Sequence, residues 1–570
     1  MDYKHAIAGL IAVAGGFDRQ EVLLNVEIPA DSKLGDYAFP CFKLAKIMKK
    51  APPVIAKEVA DKIRENGMFE KVENVNAYVN LFLERQAFVK NVMGEVVSAG
   101  ENFGASDEGK GKKVIVEFSS PNIAKPFHIG HIRSTVIGNS IYKLYDFLGY
   151  DTVRINHLGD YGTQFGKMIC AYRRWGNKED VVNEPIKTLL SYYIKFHEES
   201  EKNQSLEDEA RSVFAKLEQG EAEEVELWQW FRDESLSEFS LVYDMLGIKF
   251  DSYAGESFYS DKMAAILRGM DEKGLIKESK GARIVELERY GMPAALVTKQ
   301  DGSTLYITRD IAAAVYRKEH YDFYKNLYIV ASQQNLHFQQ WMKIIELMGH
   351  EWAKDCIHIA FGLVSLEDGT MSTRQGRVVF LEEVLTKAVE KTKEIIIEKG
   401  VNTDNMDETA AQVGIGAVVF QELSSGRIKD YVFTWDKVLN FDGETGPYVQ
   451  YTHARLASVL RNAGEDALKS FADPAGLKTD GLVGDSAYGL AKVIYGLPEA
   501  IKEAAGKYEP SVLTRHIVDA AQAFNRFYHD EHILTEDEDE KAAKLALTYS
   551  ARVVIGTGLR LLGMSAPSKM

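Results

Sequence analysis

The run Val114 to Thr135, VIVEFSSPNIAKPFHIGHIRST, constrains the fold more than any other stretch of the chain. Val114 to Phe118 is short, apolar and β-branched, so it reads as a buried strand, and Ser119-Ser120-Pro121-Asn122 ends it in a turn. His128-Ile129-Gly130-His131 follows, where a helix is expected to begin. Strand, turn and helix in that order belong to a parallel α/β sheet. The helix start offers unpaired N–H groups and the positive end of a dipole to phosphate. Two imidazoles can donate to phosphate oxygens, and Gly130, lacking a Cβ, lets an adenine ring lie close to the backbone. Attack on the α-phosphate of ATP is the chemistry that wants this arrangement. The plainer alternative is two histidines one turn apart at a helix start. Zinc is disfavoured, because Cys41, Cys170 and Cys356 stand far apart without paired spacing, and no protein metal site is expected.

At 570 residues the chain is long enough for three or four domains. Residues 1–105 read as an α+β module. Ala77 to Leu83 alternates like a strand, the stretch Phe42 to Ile63 is helical but broken at Pro52-Pro53, and the Gly-rich stretch 100–111 suits a linker. From 112 to 425 strands alternate with helices. Thr152 to Ile155, Leu327 to Ala331 and Ile357 to Val364 read as further strands, which points to a doubly wound, Rossmann-type parallel sheet. A charged helical insertion occupies about 175–250. Residues 426–570 show apolar spacing of three and four over Val449 to Ala463, Leu490 to Ala505 and Val512 to Tyr528, as in an all-helical bundle. The acidic run Glu536 to Glu540 is expected in an exposed loop between helices.

No run of 18 apolar residues is present, so no membrane span is expected. The start of the chain reads as an amphipathic helix rather than a signal peptide, and three unpaired cysteines suit a reducing cytoplasm. A net charge of −16 argues against non-specific coating of nucleic acid but leaves room for a local basic stripe. Lys43, Lys46, Lys50 and Lys57 form one candidate, on one face if their helix is continuous; a solvated helix face is the plain reading.

Ligands of a doubly wound sheet sit at the carboxyl ends of its strands. Three further polar clusters follow such ends: His157 to Gly166, Tyr306 to Asp310, and Asp368 to Arg377. Tyr306 and Asp310, four apart, share a face if the turn is helical. Small, hydroxyl and Arg residues in the third cluster suit a triphosphate.

Together EFSSPNIAKPFHIGHIRST, HLGDYGTQFGK, LYITRDIAAA, ASQQNLHF, MSTRQG and FDGETGPYVQYTHARLASVL resemble the arginyl-tRNA synthetase family of class I aminoacyl-tRNA synthetases, in the family's order and over nearly the whole chain. The resemblance implies ATP-dependent joining of L-arginine to tRNA(Arg) through an arginyl-adenylate, with Mg²⁺ accompanying ATP. It implies ATP contacts from His128, Gly130, His131, Met371 and Ser372. Thr370 and Thr373 stand where the general class pattern has lysines. Lys125, just before the histidine box, is the expected substitute cation, with Arg374 assisting. Arginine itself is expected to meet Glu117, Asp310 and Tyr306 at its side chain and Ser120, Asn122 and Gln334 at its α-amino and carboxylate end, and His131 is expected to touch it as well. The N-terminal module, with Lys43, Lys46 and Lys50, is expected to meet tRNA, and the helical C-terminal part to read the anticodon. A monomer that binds no DNA is expected. Another class I synthetase, or a synthetase-like tRNA binder without activation, are the rival readings. No cysteine cluster serves a cysteinyl enzyme, and a glutamyl enzyme would want a cation where Asp310 and Glu117 stand.

Overall fold

Four parallel strands place the chemistry. The structure, a computed structural model, describes residues 2–298, 306–365, 379–400, 405–438, 443–473 and 476–570. Its chain forms two compact units that do not follow sequence order: Met1–Phe103 with Leu456–Gly496 and Asp519–Val554, and Gly104–Arg455 with Leu497–Val518 and Ile555–Met570.

In the first unit, β1 (Tyr37–Pro40), β2 (Phe69–Val75) and β3 (Tyr78–Leu83) form an antiparallel sheet in the order β1-β3-β2. Asp2 caps the helix Tyr3–Gly15 by accepting the His5 N–H, and this helix buries Ile7 and Ile11. The helix Pro52–Ile63 buries Ile55 and Val59 on one side. The lysine stripe does not survive as a helix face. Ala45–Met48 is a single turn, Lys49 takes the left-handed conformation (φ 51°), and Pro52 starts a new helix. Lys50 pairs with Glu58 (2.7 Å) and Lys57 with Asp61 (2.7 Å), while Lys43 donates to Asn25 Oδ1. Within the same unit, Tyr3 N–H donates to the Tyr495 hydroxyl (3.1 Å) and Arg85 pairs with Asp485 (2.8 Å).

The second unit is built on β4 (Lys113–Glu117), β5 (Asp151–Ile155), β9 (Lys325–Ala331) and β10 (Cys356–Phe361), all parallel, in the order β10-β9-β4-β5. The intervening strands β6 (Ile276–Ser279), β7 (Ala282–Val285) and β8 (Ala295–Thr298) make a small antiparallel sheet. Val114, Ile115 and Val116 are fully buried, each contributing about 1.5–3 kcal/mol. Sequence neighbours β4 and β5 lie on one side, and the chain returns to β9 on the other. The switch point therefore falls between β4 and β9, where an α/β sheet opens a crevice. The expected strand Ile357 to Val364 divides. Beyond β10, a two-residue strand β11 (Val364–Ser365) leaves the sheet to pair with β12 (Tyr431–Val432).

The helix Ile132–Phe147 carries the box and is buried on most sides; a Cβ at Gly138 would lie 2.2 Å from Phe118 Cβ, so only glycine lets it pack there. The insertion is helical, with Pro185–Lys202, Ser205–Glu218 and Ala222–Leu246 as its main members. Toward the C-terminus come the helices Gly446–Ala463, Asp485–Tyr495, Leu497–Lys507, Ser511–Asp530 and Glu538–Leu561. The expected continuous helix Leu490 to Ala505 breaks at Gly496, where Leu497-Pro498 begins the next. Three of the five residues of the acidic run, Glu538, Asp539 and Glu540, are also helix rather than loop. Asp537 accepts the N–H groups of Asp539 and Glu540 (3.0 Å each), and acidic side chains suit a helix start.

Candidate active site

The box opens with a turn of 3-10 helix, Ile129–His131, that runs into Ile132–Phe147. Its side chains are held by its own backbone. His128 Nδ1 accepts the Gly130 N–H (3.1 Å), and His131 Nδ1 accepts the His128 N–H (3.1 Å). His131 Nδ1 also lies 3.3 Å from His128 O, but the amide can only donate and its contact is shorter, so Nδ1 is the acceptor. Each neutral ring must then carry its proton on Nε2, free to donate outward. Burial pushes the His128 imidazole down to about 4 and holds His131 well below its usual range, with His128 and the Lys125 charge adding to the effect on His131. The ring centroids are 4.0 Å apart. The box therefore presents two neutral donors, and Lys125 supplies a full charge close enough to act on His131.

The loop between β4 and the box carries three non-glycine residues at positive φ: Ser119 (70°), Ser120 (49°) and Ala124 (56°). Such conformations cost about 1–3 kcal/mol each and persist where surroundings enforce them. Here a buried chain of hydrogen bonds does so. Asn156 Nδ2 donates to the Tyr243 hydroxyl (2.9 Å), which meets Ser119 Oγ (2.8 Å); Ser119 Oγ meets Thr135 Oγ1 (2.9 Å), which donates to the His131 carbonyl (2.8 Å). Ser134 Oγ accepts the Ser119 N–H (2.9 Å) and donates to the Ile329 carbonyl on β9 (2.8 Å). Ser235 accepts the Ala124 N–H (3.1 Å), and Phe239 and Tyr243 pack on Phe127. Tyr243 and Ser235 come from the insertion, so that segment braces the box. Asn122 pairs with Gly159 after β5, where a Cβ would fall 2.3 Å from Asn122 Oδ1.

Four of the remaining predicted residues stand at the carboxyl ends of β4 and β9. Glu117 ends β4, Ser120 and Asn122 follow it, and Gln334 is exposed where β9 gives way to the helix Asn335–Leu347. Tyr306 and Asp310 share the face of the helix Tyr306–Tyr321. Asp310 lies inside that helix and so does not cap it. Met371, Ser372 and Arg374, with Thr370 and Thr373, lie outside the described residues. Lys43, Lys46 and Lys50 belong to the other compact unit.

Among the described residues, Glu117, Asp310 and Glu256 are each already engaged. Glu117 pairs with the fully buried Arg317 (2.5 Å), whose guanidinium lies 5.6 Å from the Tyr328 ring centroid and 5.9 Å from that of Tyr259. Asp310 Oδ2 bonds His337 Nε2, and Glu256 pairs with Arg309, whose guanidinium sits 4.9 Å from both the Tyr306 and Tyr161 rings. Burial raises the Glu256 carboxyl to about 7, against the pull of Arg309. Arg317, His337, Arg309, Glu256, Asn156 and Tyr243 are thus site residues that sequence reasoning missed. His337 and Arg309 lie within strings that drew attention for other residues, whereas nothing local marks Tyr243 or Arg317.

The histidine box, placed at the carboxyl end of a parallel sheet, agrees with the family comparisons. A family model described as the catalytic domain of class I tRNA synthetases (R) matches residues 93–435, which defines the α/β body as a class I synthetase catalytic domain. A DALR anticodon binding domain model matches 449–570, and an arginyl tRNA synthetase N-terminal domain model matches 1–83. The chain is 56% identical to arginine--tRNA ligases of Halothermothrix orenii, over 571 residues, and Clostridioides difficile, over 570, with all of each chain covered. This chain belongs to the arginyl-tRNA synthetase family. Its fold matches the solved arginyl-tRNA synthetases of Thermus thermophilus (TM-score 0.81, 24% identity, all of both chains) and Plasmodium falciparum (TM-score 0.80, 23% identity, 100% of this chain and 99% of that one). Among the described residues no helix is long and apolar enough to cross a membrane.

Proposed function

We propose that this protein attaches L-arginine to tRNA(Arg) at the expense of ATP. Full-length relatedness to arginine--tRNA ligases carries the reading, and the engaged carboxylates beside the histidine box support it. The arginine carboxylate oxygen attacks the α-phosphorus and pyrophosphate leaves. A ribose hydroxyl of the terminal adenosine of tRNA then attacks the arginyl carbonyl carbon, and AMP leaves. Neither step needs a covalent enzyme intermediate; positioning and charge stabilisation suffice. Mg²⁺ enters with the nucleotide.

His128 and His131 donate Nε2–H to phosphate oxygens, Gly130 faces adenine, and Met371, Ser372 and Arg374 serve the triphosphate. Lys125 supplies the cation that Thr370 and Thr373 do not. Asp310, half-buried and sharing one oxygen with His337, receives the substrate guanidinium beside Tyr306. Glu117, neutralised by Arg317, is a weaker guanidinium ligand and suits the α-ammonium end, with Ser120, Asn122 and Gln334. A fork of donors demands such acceptors, and a site that hydrogen-bonds a distinctive side chain rejects analogues without editing. Lys43 and Lys46 are candidate tRNA phosphate contacts; Lys50 shares its charge with Glu58. We assign residues 1–105 to tRNA contact, 112–425 to catalysis and 426–570 to the anticodon, in a cytoplasmic monomer that does not bind DNA.

The test is to offer labelled amino acids singly to bulk tRNA with ATP and Mg²⁺. Arginine alone becoming tRNA-bound is the expected result. Labelling by another amino acid would overturn the pocket, and tRNA binding without labelling would leave a non-catalytic binder. In Lys125→Ala, arginine turnover should fall about 100-fold with tRNA affinity kept; unchanged turnover would remove Lys125 from the mechanism.

A further inference from the structure

Arg133 lies two residues beyond the box and is fully buried. Its Nη1 donates to the Gly362 carbonyl (3.0 Å) and the Lys429 carbonyl (2.7 Å). Those carbonyls begin the two arms that become β11 and β12. The arms touch along their backbones: Gly362 N–H donates to the Arg427 carbonyl (2.8 Å), Tyr431 N–H to the Leu363 carbonyl (3.1 Å), and Phe433 N–H to the Ser365 carbonyl (2.9 Å). A Cβ on Gly362 would lie 2.6 Å from the Ile428 carbonyl oxygen, so the approach requires glycine. The Arg133 guanidinium also lies 5.4 Å from the Tyr431 ring centroid, and its Nε is 3.6 Å from Glu422. On the far side of the sequence between Ser365 and Val379, the box backbone makes its own attachment: Ile129 N–H donates to the Val379 carbonyl (3.0 Å) and Leu381 N–H to the Phe127 carbonyl (2.8 Å). Sequence on both sides of residues 366–378 is therefore fastened to the box, one side by main chain and the other by one arginine.

We propose that Arg133 is a positioning residue for ATP-dependent activation: by holding Gly362 and Lys429 to the box helix, it fixes the paired arms β11 and β12 relative to His128 and His131. Without it the paired arms lose this side-chain tie to the helix that follows the box, and none of these contacts involves Glu117, Tyr306 or Asp310. Charge alone does not explain its placement. Burial raises the Glu422 carboxyl to about 8, so its pairing with Arg133 is weak near neutrality, and the carbonyl bonds are the directed contacts.

This rests on the ligase reading, so one readout is independent of activity. In full-length Arg133→Met, amide hydrogen exchange of peptides covering 362–365 and 429–433 should quicken about 10-fold or more, with β4 and β9 unchanged. Per active site titrated, the ATP KM should rise and kcat fall together about 10-fold or more, with the arginine KM and tRNA affinity near wild type. Arg133→Lys, which can reach one carbonyl, should recover part of both. Glu422→Gln should behave as wild type. Should Arg133→Met fail to fold, Arg133→Lys and Gly362→Ala, which forces the arms apart from the other side, carry the test. Unchanged exchange in the two arms, or wild-type kcat and ATP KM per active site, overturns the proposal. An inactive wild type with quickened exchange in Arg133→Met would instead break the ligase reading alone.

Discussion

The two ends of the candidate active site treat charge in opposite ways. At the box, a highly anionic triphosphate is to be met mainly by neutral imidazoles whose acceptor nitrogens are bonded to their own backbone. At the other end, a cationic side chain is to be met by carboxylates that already hold basic partners, His337 on Asp310, Arg317 on Glu117 and Arg309 on Glu256. The difference is one of solvation. Neutral donors can be buried and aimed at little cost, whereas a buried carboxylate without a partner would take up a proton and lose its attraction for guanidinium. Pairing offsets part of the cost of burying these carboxylates and holds them in place, and Asp310, with one oxygen on His337, is the one we assign to the substrate.

The largest effect should come from removing that remaining charge. Asp310→Asn is expected to lower kcat/KM for arginine roughly 10³-fold, about 4 kcal/mol, with the ATP KM little changed. A reversed pattern, with ATP affected and arginine spared, would place Asp310 at the wrong end. His131→Ala should act on the other side, lowering kcat about 100-fold while arginine binding is largely retained. Steady-state kinetics with each substrate varied at saturating levels of the others separates the two.

A smaller effect tests the support beneath the box. Ser134→Ala leaves the Ser119 N–H and the Ile329 carbonyl without their shared partner, so chemical denaturation should show a loss of about 1–2 kcal/mol. A variant as stable as wild type would show that Ser119 is held by the Tyr243 chain alone.

The last is a matter of protons. His128 titrates at about 4 in the native state against an ordinary 6.5. The unfolded chain therefore binds this proton more readily, and the contribution to stability is fully present above 6.5 and is lost as the pH falls toward 4. Nitrogen-15 NMR of the free protein at pH 6 should show His128 neutral with its proton on Nε2. A ring half-protonated near 6.5 would remove the neutral-donor account.

Much of this was legible in the sequence because it was local. Strand β4, the turn at Pro121, the helix after His131 and the shared face of Tyr306 and Asp310 follow from apolar runs, turn residues and spacing. What escaped depends on distant partners. Tyr243 reaches Ser119 from 124 residues away and Arg133 reaches Lys429 from 296, and no local pattern marks a residue for such a contact. The lysine stripe failed for a different reason: a helical face was drawn through Lys49 and Pro52, where the backbone turns. The buried partner of Glu117, Arg317, escaped as well, because it sits on a helix whose pattern looks like any other.

The division of labour is tested most directly by discrimination between arginine and its neutral isostere citrulline. The ratio of their kcat/KM values should be large in the wild type and should collapse about 100-fold or more in Asp310→Asn, while His131→Ala leaves it intact. A ratio that survives Asp310→Asn, or falls as far in His131→Ala, would contradict the assignment of the guanidinium to Asp310 and of the phosphates to the box.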